Sequence, residues 1–234
     1  MPSTVTFFPV DNGDMTLLKL SDKTTILIDI NLRDSTEEEE TYNVNKELRS
    51  RLETDDKGRP YVDAFLLSHP DQDHCRGLQR HFHLGSLENY DFDPSDGKEL
   101  KIVIREIWSS PMVFRRASKN NPLCEDAKAF NTEVRRRVKL FRENGFALDG
   151  NRILIIGEDE NGKTDGLESI LVKLDEVFSS VNGERNDYVS VRILGPLPIQ
   201  EDSEEEERLG KNHSSVILQF SLKVEENKIV LSKV

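Results

Sequence analysis

The sequence predicts an α/β layered fold built on sheets. Three observations lead there: short β-rich runs joined by tight turns at the N-terminal end, alternating strand-like and helix-like stretches through the middle, and strand-like runs again towards the C-terminal end.

In order along the chain, Thr4–Val10 is β-rich and stops at a turn cluster, Asp11-Asn12-Gly13-Asp14. Met15–Leu20, a polar turn at Ser21–Lys23 and Thr24–Ile30 complete a β-meander. The acidic stretch Asp34–Glu40 reads as a loop, and Val44–Leu52 as a short helix with Leu48 and Leu52 on one face. Asp63–Ser68 holds the apolar run Ala64-Phe65-Leu66-Leu67, the pattern of a fully buried strand. Asp73 to about His83 is expected to be a helix carrying Leu78 and Phe82 on one side.

Lys101–Trp108 alternates apolar and polar positions as a strand does. Over Glu125–Asn144, Ala127, Phe130, Val134, Val138 and Phe141 recur at spacings of three and four, which predicts an amphipathic helix. Its other face carries Arg135, Arg136, Arg137 and Arg142, either a solvated face or, with Arg115 and Arg116 upstream, a phosphate-contacting one. Arg152–Ile156 reads as a strand and Leu167–Phe178 as a second helix, with Leu171, Leu174 and Phe178 aligned. Val189–Leu194, Ser215–Leu222 and Lys228–Leu231 read as strands.

At 234 residues the chain is long enough for one large domain with a real core. A net charge of −12 argues against broad nucleic-acid binding by the whole surface, though not against a local basic patch. Two runs of consecutive acid, Glu37–Glu40 and Glu204–Glu207, are read as solvated loops. No apolar run reaches the length of a membrane span, and Met1-Pro2-Ser3-Thr4 lacks a secretory pattern. Two cysteines, Cys75 and Cys124, do not make a disulfide scaffold, so a reducing cytoplasm is the expected location.

The chemistry concentrates just after the buried strand, where His69, Asp71, Asp73 and His74 place four potential ligands within six residues. Imidazole and carboxylate are the usual nitrogen and oxygen donors for zinc, manganese or iron. A turn anchored by the sheet points alternate residues to one spot, while the adjacent Asp73 and His74 face different directions and can serve a second ion. Two ions roughly 3.5–4 Å apart can activate water and clamp both oxygens of a displacement. The competing reading is a polar loop in which Asp71 or Asp73 caps the following helix, a task that needs one such residue.

These residues resemble the motif of the metallo-β-lactamase fold, H-x-H-x-D-H followed by x-x-G, in the segment Leu66-Leu67-Ser68-His69-Pro70-Asp71-Gln72-Asp73-His74-Cys75-Arg76-Gly77. The nearest flavour is the ComEC-like subgroup, the hydrolase domain of a bacterial DNA-uptake channel. Val10–Asp14 looks like the family's early Val-Gly-x-Gly-Asp turn, Ile26-Leu27-Ile28-Asp29 like its Leu-Ile-Asp strand, and Asn212–Leu218 like its Asn-x-x-Ser strand.

The resemblance implies an αββα sandwich in a single domain over 1–234, with its core at about 1–85 and 189–234, a mixed helix/strand insertion at about 86–188, and a C-terminal truncation before the family's later Gly-Asp and His-His-Gly-Ser elements. It implies two divalent metal ions, zinc or manganese with magnesium as a further option: His69 and Asp71 on one, Asp73 and His74 on the other. Asp73 would also orient the attacking water, and Asp29 and Asp14 would support the ligands from outside. Asp71 stands where the wider fold has histidine, and an oxygen donor there favours manganese or magnesium relative to zinc.

The implied activity is metal-dependent hydrolysis of phosphodiesters by a nuclease acting on DNA or RNA, with Arg135 and Arg136 as candidate nucleic-acid contacts. Related domains also serve as effectors in bacterial antiviral defence. Two other readings stay open: a non-catalytic interaction module on a kept shell, and a hydrolase of a small-molecule ester, amide or thioester. Further C-terminal domains or a partner protein are expected, and no membrane.

Plainer roles compete elsewhere. Asp29 and Asp14 also suit strand-end and turn positions. His81 and His83 read as surface residues at a helix C-terminus, His213 as structural, and Cys75 as a small buried hydrophobe. Gly157–Thr164 fits the P-loop pattern G-x-x-x-x-G-K-[ST], but its consecutive acids Glu158-Asp159-Glu160 would repel phosphate, so it reads as a turn.

Overall fold

A computed structural model describes residues 2–33, 43–90, 99–114, 122–159, 162–196, 215–224 and 227–233. The acidic runs, Arg115, Arg116, His213 and the Asn212 end of the Asn-x-x-Ser resemblance lie outside them. The N-terminal strands are β1 (Thr4–Phe7), β2 (Thr16–Lys19) and β3 (Thr25–Ile28), with a short β4 (Ile30–Asn31) beyond. Helix α1 (Val44–Arg51) leads through β5 (Glu53–Thr54) to the long β6 (Pro60–Leu67). Two single-turn helices, α2 (Gln72–Cys75) and α3 (Leu78–His81), and β7 (Phe82–His83) precede β8 (Ile102–Ser109). Helix α4 (Glu125–Asn144) returns the chain to β9 (Arg152–Ile156) and β10 (Leu171–Val172). The short β11 (Val177–Phe178), β12 (Ser180–Val181) and β13 (Glu184–Arg185) are followed by β14 (Val189–Gly195), β15 (Ile217–Val224) and β16 (Asn227–Lys233).

The fold is mixed α/β. A large mixed sheet runs β1-β2-β3-β6-β8-β9-β10, antiparallel up to β3 and parallel from β3 to β10. A smaller antiparallel sheet runs β11-β14-β15-β16. The strands of the large sheet have apolar residues on both faces because both faces are covered. Phe65, Leu67 and Leu27 join a cluster with Phe130, Val134 and Val138 of α4, whereas Ala64, Leu66, Ile26 and Ile28 join one with Val191, Ile193, Leu218 and Phe220 of the smaller sheet. Helices, large sheet and small sheet therefore form successive layers. The stretch 86–188, expected as an insertion, supplies β8, β9 and β10, which continue the large sheet beyond β6. Among the described residues no helix is long and apolar enough to cross a membrane.

Helix α4 occupies the span its periodicity predicts. Cys124 accepts the Ala127 N–H at its start and Gly145, at φ 73°, closes its end. Its arginines divide: Arg135 and Arg142 are exposed, as on a solvated face, whereas Arg136 is half-buried and Arg137 buried. Arg137 is 1% exposed, pairs with Glu133 at 2.8 Å, and donates to the carbonyls of Ile104, Arg105 and Arg152. Its guanidinium thus ties the helix to backbone carbonyls of β8 and β9.

Two helix expectations are corrected. Leu167–Phe178 forms a 3-10 turn at Glu168–Ile170 and two short strands. Leu171 and Val172 pair in parallel with Ile155 and Ile156, and Asp175 adopts φ 67°, so hydrogen bonding to the edge of β9 overrides a helical spacing. The helix expected over Asp73–His83 is broken at Gly77, which sits at φ 90°. A Cβ there would lie 2.7 Å from the Leu32 carbonyl oxygen, so the chain bends where it packs on the strand beside it.

Candidate metal centre

In α/β sheets the carboxyl ends of parallel strands are where ligands bind. Here β3 ends in Asp29 and β6 runs into Ser68 and His69, side by side. Asp29 turns the chain out of β3 at φ 53°, while its N–H still donates to the Leu66 carbonyl, 2.9 Å away. Its carboxylate is fully buried and accepts from the Ser68 N–H at 2.7 Å, the Ser68 hydroxyl at 2.7 Å and His74 Nδ1 at 3.0 Å.

This arrangement fixes both imidazoles. The Ser68 hydroxyl has one proton, which it gives to Asp29, so it accepts from His69 Nδ1 at 3.0 Å. His69 and His74 are thereby both protonated at Nδ1, leaving each Nε2 lone pair free to face the loop. Carboxylate support of this kind sets ring orientation and raises basicity at metal-ligating histidines.

The two rings sit 3.8 Å apart, centroid to centroid. Asp71 Oδ2 lies 3.7 Å from His69 Nε2, and Asp73 Oδ2 lies 4.0 Å from His74 Nε2. Burial, and then the neighbouring His74, lower the His69 pKa below the ordinary imidazole value. For His74, burial works in the same direction, but the hydrogen bond and charge of Asp29, with Asp73 and Asp14 nearby, outweigh it and raise the pKa. Asp71 stands at the N-cap position of α2 but makes no side-chain cap hydrogen bond, so capping does not account for it.

The donor set suits divalent cations. Two donors bound to one ion at about 2.0–2.2 Å each lie roughly 3–4.4 Å apart. The His69–Asp71 and His74–Asp73 separations both fall in that range. The four sequence-predicted residues lie as two separate nitrogen–oxygen pairs and do not, among the described residues, form one group of three or more donors within 4.8 Å of one another. A further cluster, Asp14, Asp29 and His74, has donor atoms within 4.8 Å of one another.

Several residues that build the site escape sequence reasoning. Asn31, buried two residues beyond Asp29, donates to the carbonyls of Val10 (3.2 Å) and Asn12 (2.6 Å), which seats the Asp11–Asp14 turn on the site. Gly13, at φ 122°, packs so tightly that a Cβ would stand 2.3 Å from the Asp73 carbonyl oxygen. From the other side, Asp126 in the first turn of α4 accepts the N–H groups of Gly77 and Gln79, both at 2.9 Å, and Cys75 and Cys124 bring their sulfurs to 3.5 Å. Asn31 and Asp126 are common polar types, and their roles depend on contacts distant in sequence.

Other candidates lie apart. Arg135 donates twice to the Val113 carbonyl, and Arg136 binds Glu133, Asn151, Gly85 and Gly150 within the fold. His83 contacts the Ser86 carbonyl and stacks near Tyr90.

No protein-family model and no curated protein matches the chain.

Proposed function

We propose that this chain is a metal-dependent hydrolase of the metallo-β-lactamase type, acting on phosphodiester bonds of nucleic acid through activated water. One observation carries the hydrolase reading: two imidazole–carboxylate pairs at the carboxyl end of β6, each with its donors at ligand spacing and both rings oriented by one buried carboxylate. His69 with Asp71, and His74 with Asp73, would hold two cations. Bound divalent cations lower the pKa of water and neutralise charge developing on the reacting group.

The chain's own residues do the rest. Asp29 holds His74 directly and His69 through the Ser68 hydroxyl, so neither ring must reorganise. Asp73, whose side chain is 45% exposed, reaches the solvent side, where it can orient an incoming water and accept its proton. The phosphodiester choice rests on the ComEC-like resemblance. A second reading, hydrolysis of a small-molecule ester, amide or thioester, is favoured by the engagement of Arg136 with Glu133 and Asn151, which occupies one of the two candidate phosphate contacts.

The test is cleavage of single- and double-stranded DNA and of RNA with manganese, in the parent and in Asp73→Ala with its fold intact. The proposal expects cleavage that falls by at least about a hundredfold in the variant. Equal cleavage by both would overturn it. Hydrolysis of a nitrophenyl ester without nucleic-acid cleavage would favour the second reading.

A further inference from the structure

We propose that Cys75 and Cys124 are a peroxide-responsive dithiol, whose oxidation to a disulfide joins the loop carrying Asp71, Asp73 and His74 to the start of α4 and so regulates the proposed metal centre. The dithiol stands without the metal reading; its effect on cation binding rests on it.

The two residues are 49 apart in sequence, yet their sulfurs lie 3.5 Å apart. The fold builds this approach from both sides. Cys75 ends α2 and is held on its strand side by a bridge to Ile30. Just beyond it, the N–H groups of Gly77 and Gln79 donate to Asp126 in the first turn of α4. Cys124 is the N-cap of that helix, and its sulfur accepts the Ala127 N–H at 3.5 Å. A thiol has one proton to give. Cys75 directs its own to the Asp71 carbonyl, 3.2 Å away, so the proton between the sulfurs comes from Cys124. The hydrogen bonds thus run from Ala127 through both sulfurs to the backbone of Asp71, whose carbonyl also accepts the His74 N–H at 3.0 Å. Among the described residues no histidine or carboxylate joins the two sulfurs in a group of donors within 4.8 Å, so the pair is not itself a metal site.

Exposure divides the roles. Cys75 is fully buried and Cys124 partly exposed, the pattern of an accessible thiol beside a resolving one. Hydrogen peroxide therefore meets Cys124 first. The Cys124 sulfur gives two electrons to the peroxide, whose O–O bond breaks. One hydroxyl stays on sulfur as a sulfenic acid, and the other takes the thiol proton and leaves as water. The Cys75 sulfur then attacks that of Cys124: the S–S bond forms, the S–O bond breaks, and the hydroxyl departs with the Cys75 proton as a second water. The sulfurs close to about 2.05 Å. The Asp71 carbonyl loses its S–H donor, and α2, a single turn that carries Asp73 and His74, is drawn towards α4.

The experiment treats the reduced full chain with hydrogen peroxide and counts thiols after denaturation, with peptide mass mapping. Amide hydrogen exchange and manganese titration then compare the reduced and oxidised forms. Expected is joint loss of both thiols as a Cys75–Cys124 linkage that dithiothreitol reverses. Exchange over Gln72–Cys75 should change by at least about tenfold, and manganese affinity should fall by roughly 10- to 100-fold. In Cys124→Ser, Cys75 should keep its thiol under the same treatment. Two thiols persisting in the parent, or over-oxidised Cys124 without the linkage, would overturn the dithiol. Oxidation of Cys75 at the parent rate in Cys124→Ser would overturn Cys124 as the point of entry. Unchanged exchange and manganese affinity in the linked chain would overturn the regulation. A reduced chain that takes up no manganese would overturn the metal reading alone, and exchange then decides the effect on the loop.

Discussion

The buried Asp29 carboxylate accepts a 3.0 Å hydrogen bond from His74 Nδ1 and, through the Ser68 hydroxyl, also determines which nitrogen of His69 is protonated. One side chain at the end of β3 thus orients both rings of a loop that follows β6. The parallel pairing of these strands, Ile26 with Ala64 through Ile28 with Leu66, makes the arrangement a consequence of sheet register.

Removing the relay should loosen the His69 position selectively. Ser68→Ala leaves the Asp29–His74 bond in place but frees the His69 ring, so manganese affinity at one of two positions should fall by roughly 10- to 100-fold. Isothermal titration checks this; two unchanged equivalents would show that Ser68 does not position His69.

Gly13 is expected to tolerate no side chain. In Gly13→Ala the new Cβ would meet the Asp73 carbonyl oxygen at 2.3 Å on a backbone held at φ 122°. The variant should lose about 1–3 kcal/mol of stability and bind manganese more weakly, because either the turn or the loop must move. Denaturant unfolding paired with a metal titration reads both effects; parent-like values would refute the tight approach of the two segments.

The placement of the His69–His74 loop directly after a buried strand was legible from the apolar run Ala64–Leu67 and the polar residues that follow it. The strands and α4 were legible from periodicity. The two short strands Leu171–Val172 and Val177–Phe178 were not, because Leu171, Leu174 and Phe178 also satisfy helical spacing, and only pairing with β9 and with β14 decides against a helix. Asn31 and Asp126 gave no signal, because each acts on a segment that the chain reaches only through the fold. The arginines of α4 misled for a related reason. Arg137 looks like surface charge until Glu133 and three carbonyls surround it.

That buried pair yields a stability prediction. Glu133 is 3% exposed and binds both Arg136 and Arg137 as well as the Gly85 N–H. Glu133→Gln leaves the Arg137 charge uncompensated in the interior and should cost about 3–5 kcal/mol in chemical denaturation. A loss below about 1 kcal/mol would mean that the carbonyl contacts alone hold Arg137.

His81 supplies a pH dependence away from the metal centre. Burial, with Arg49 and Arg80 beside it, pushes its imidazole down to about 4. In the unfolded chain it titrates near 6.5, so between these values the unfolded state binds more protons. Its contribution to stability is therefore full above about pH 6.5 and is lost as pH falls towards 4. The difference in Tm between the parent and His81→Gln should move in the variant's favour on acidification over that interval. An offset independent of pH would rule out this titration.

The central claim, that His69, Asp71, Asp73 and His74 converge on cations, is tested most directly by metal analysis of the full chain after manganese loading and exhaustive desalting. The account predicts one to two ions per chain, lost in a folded His69→Ala/His74→Ala double variant. A parent chain that retains no metal, or a double variant that retains as much as the parent, would contradict it.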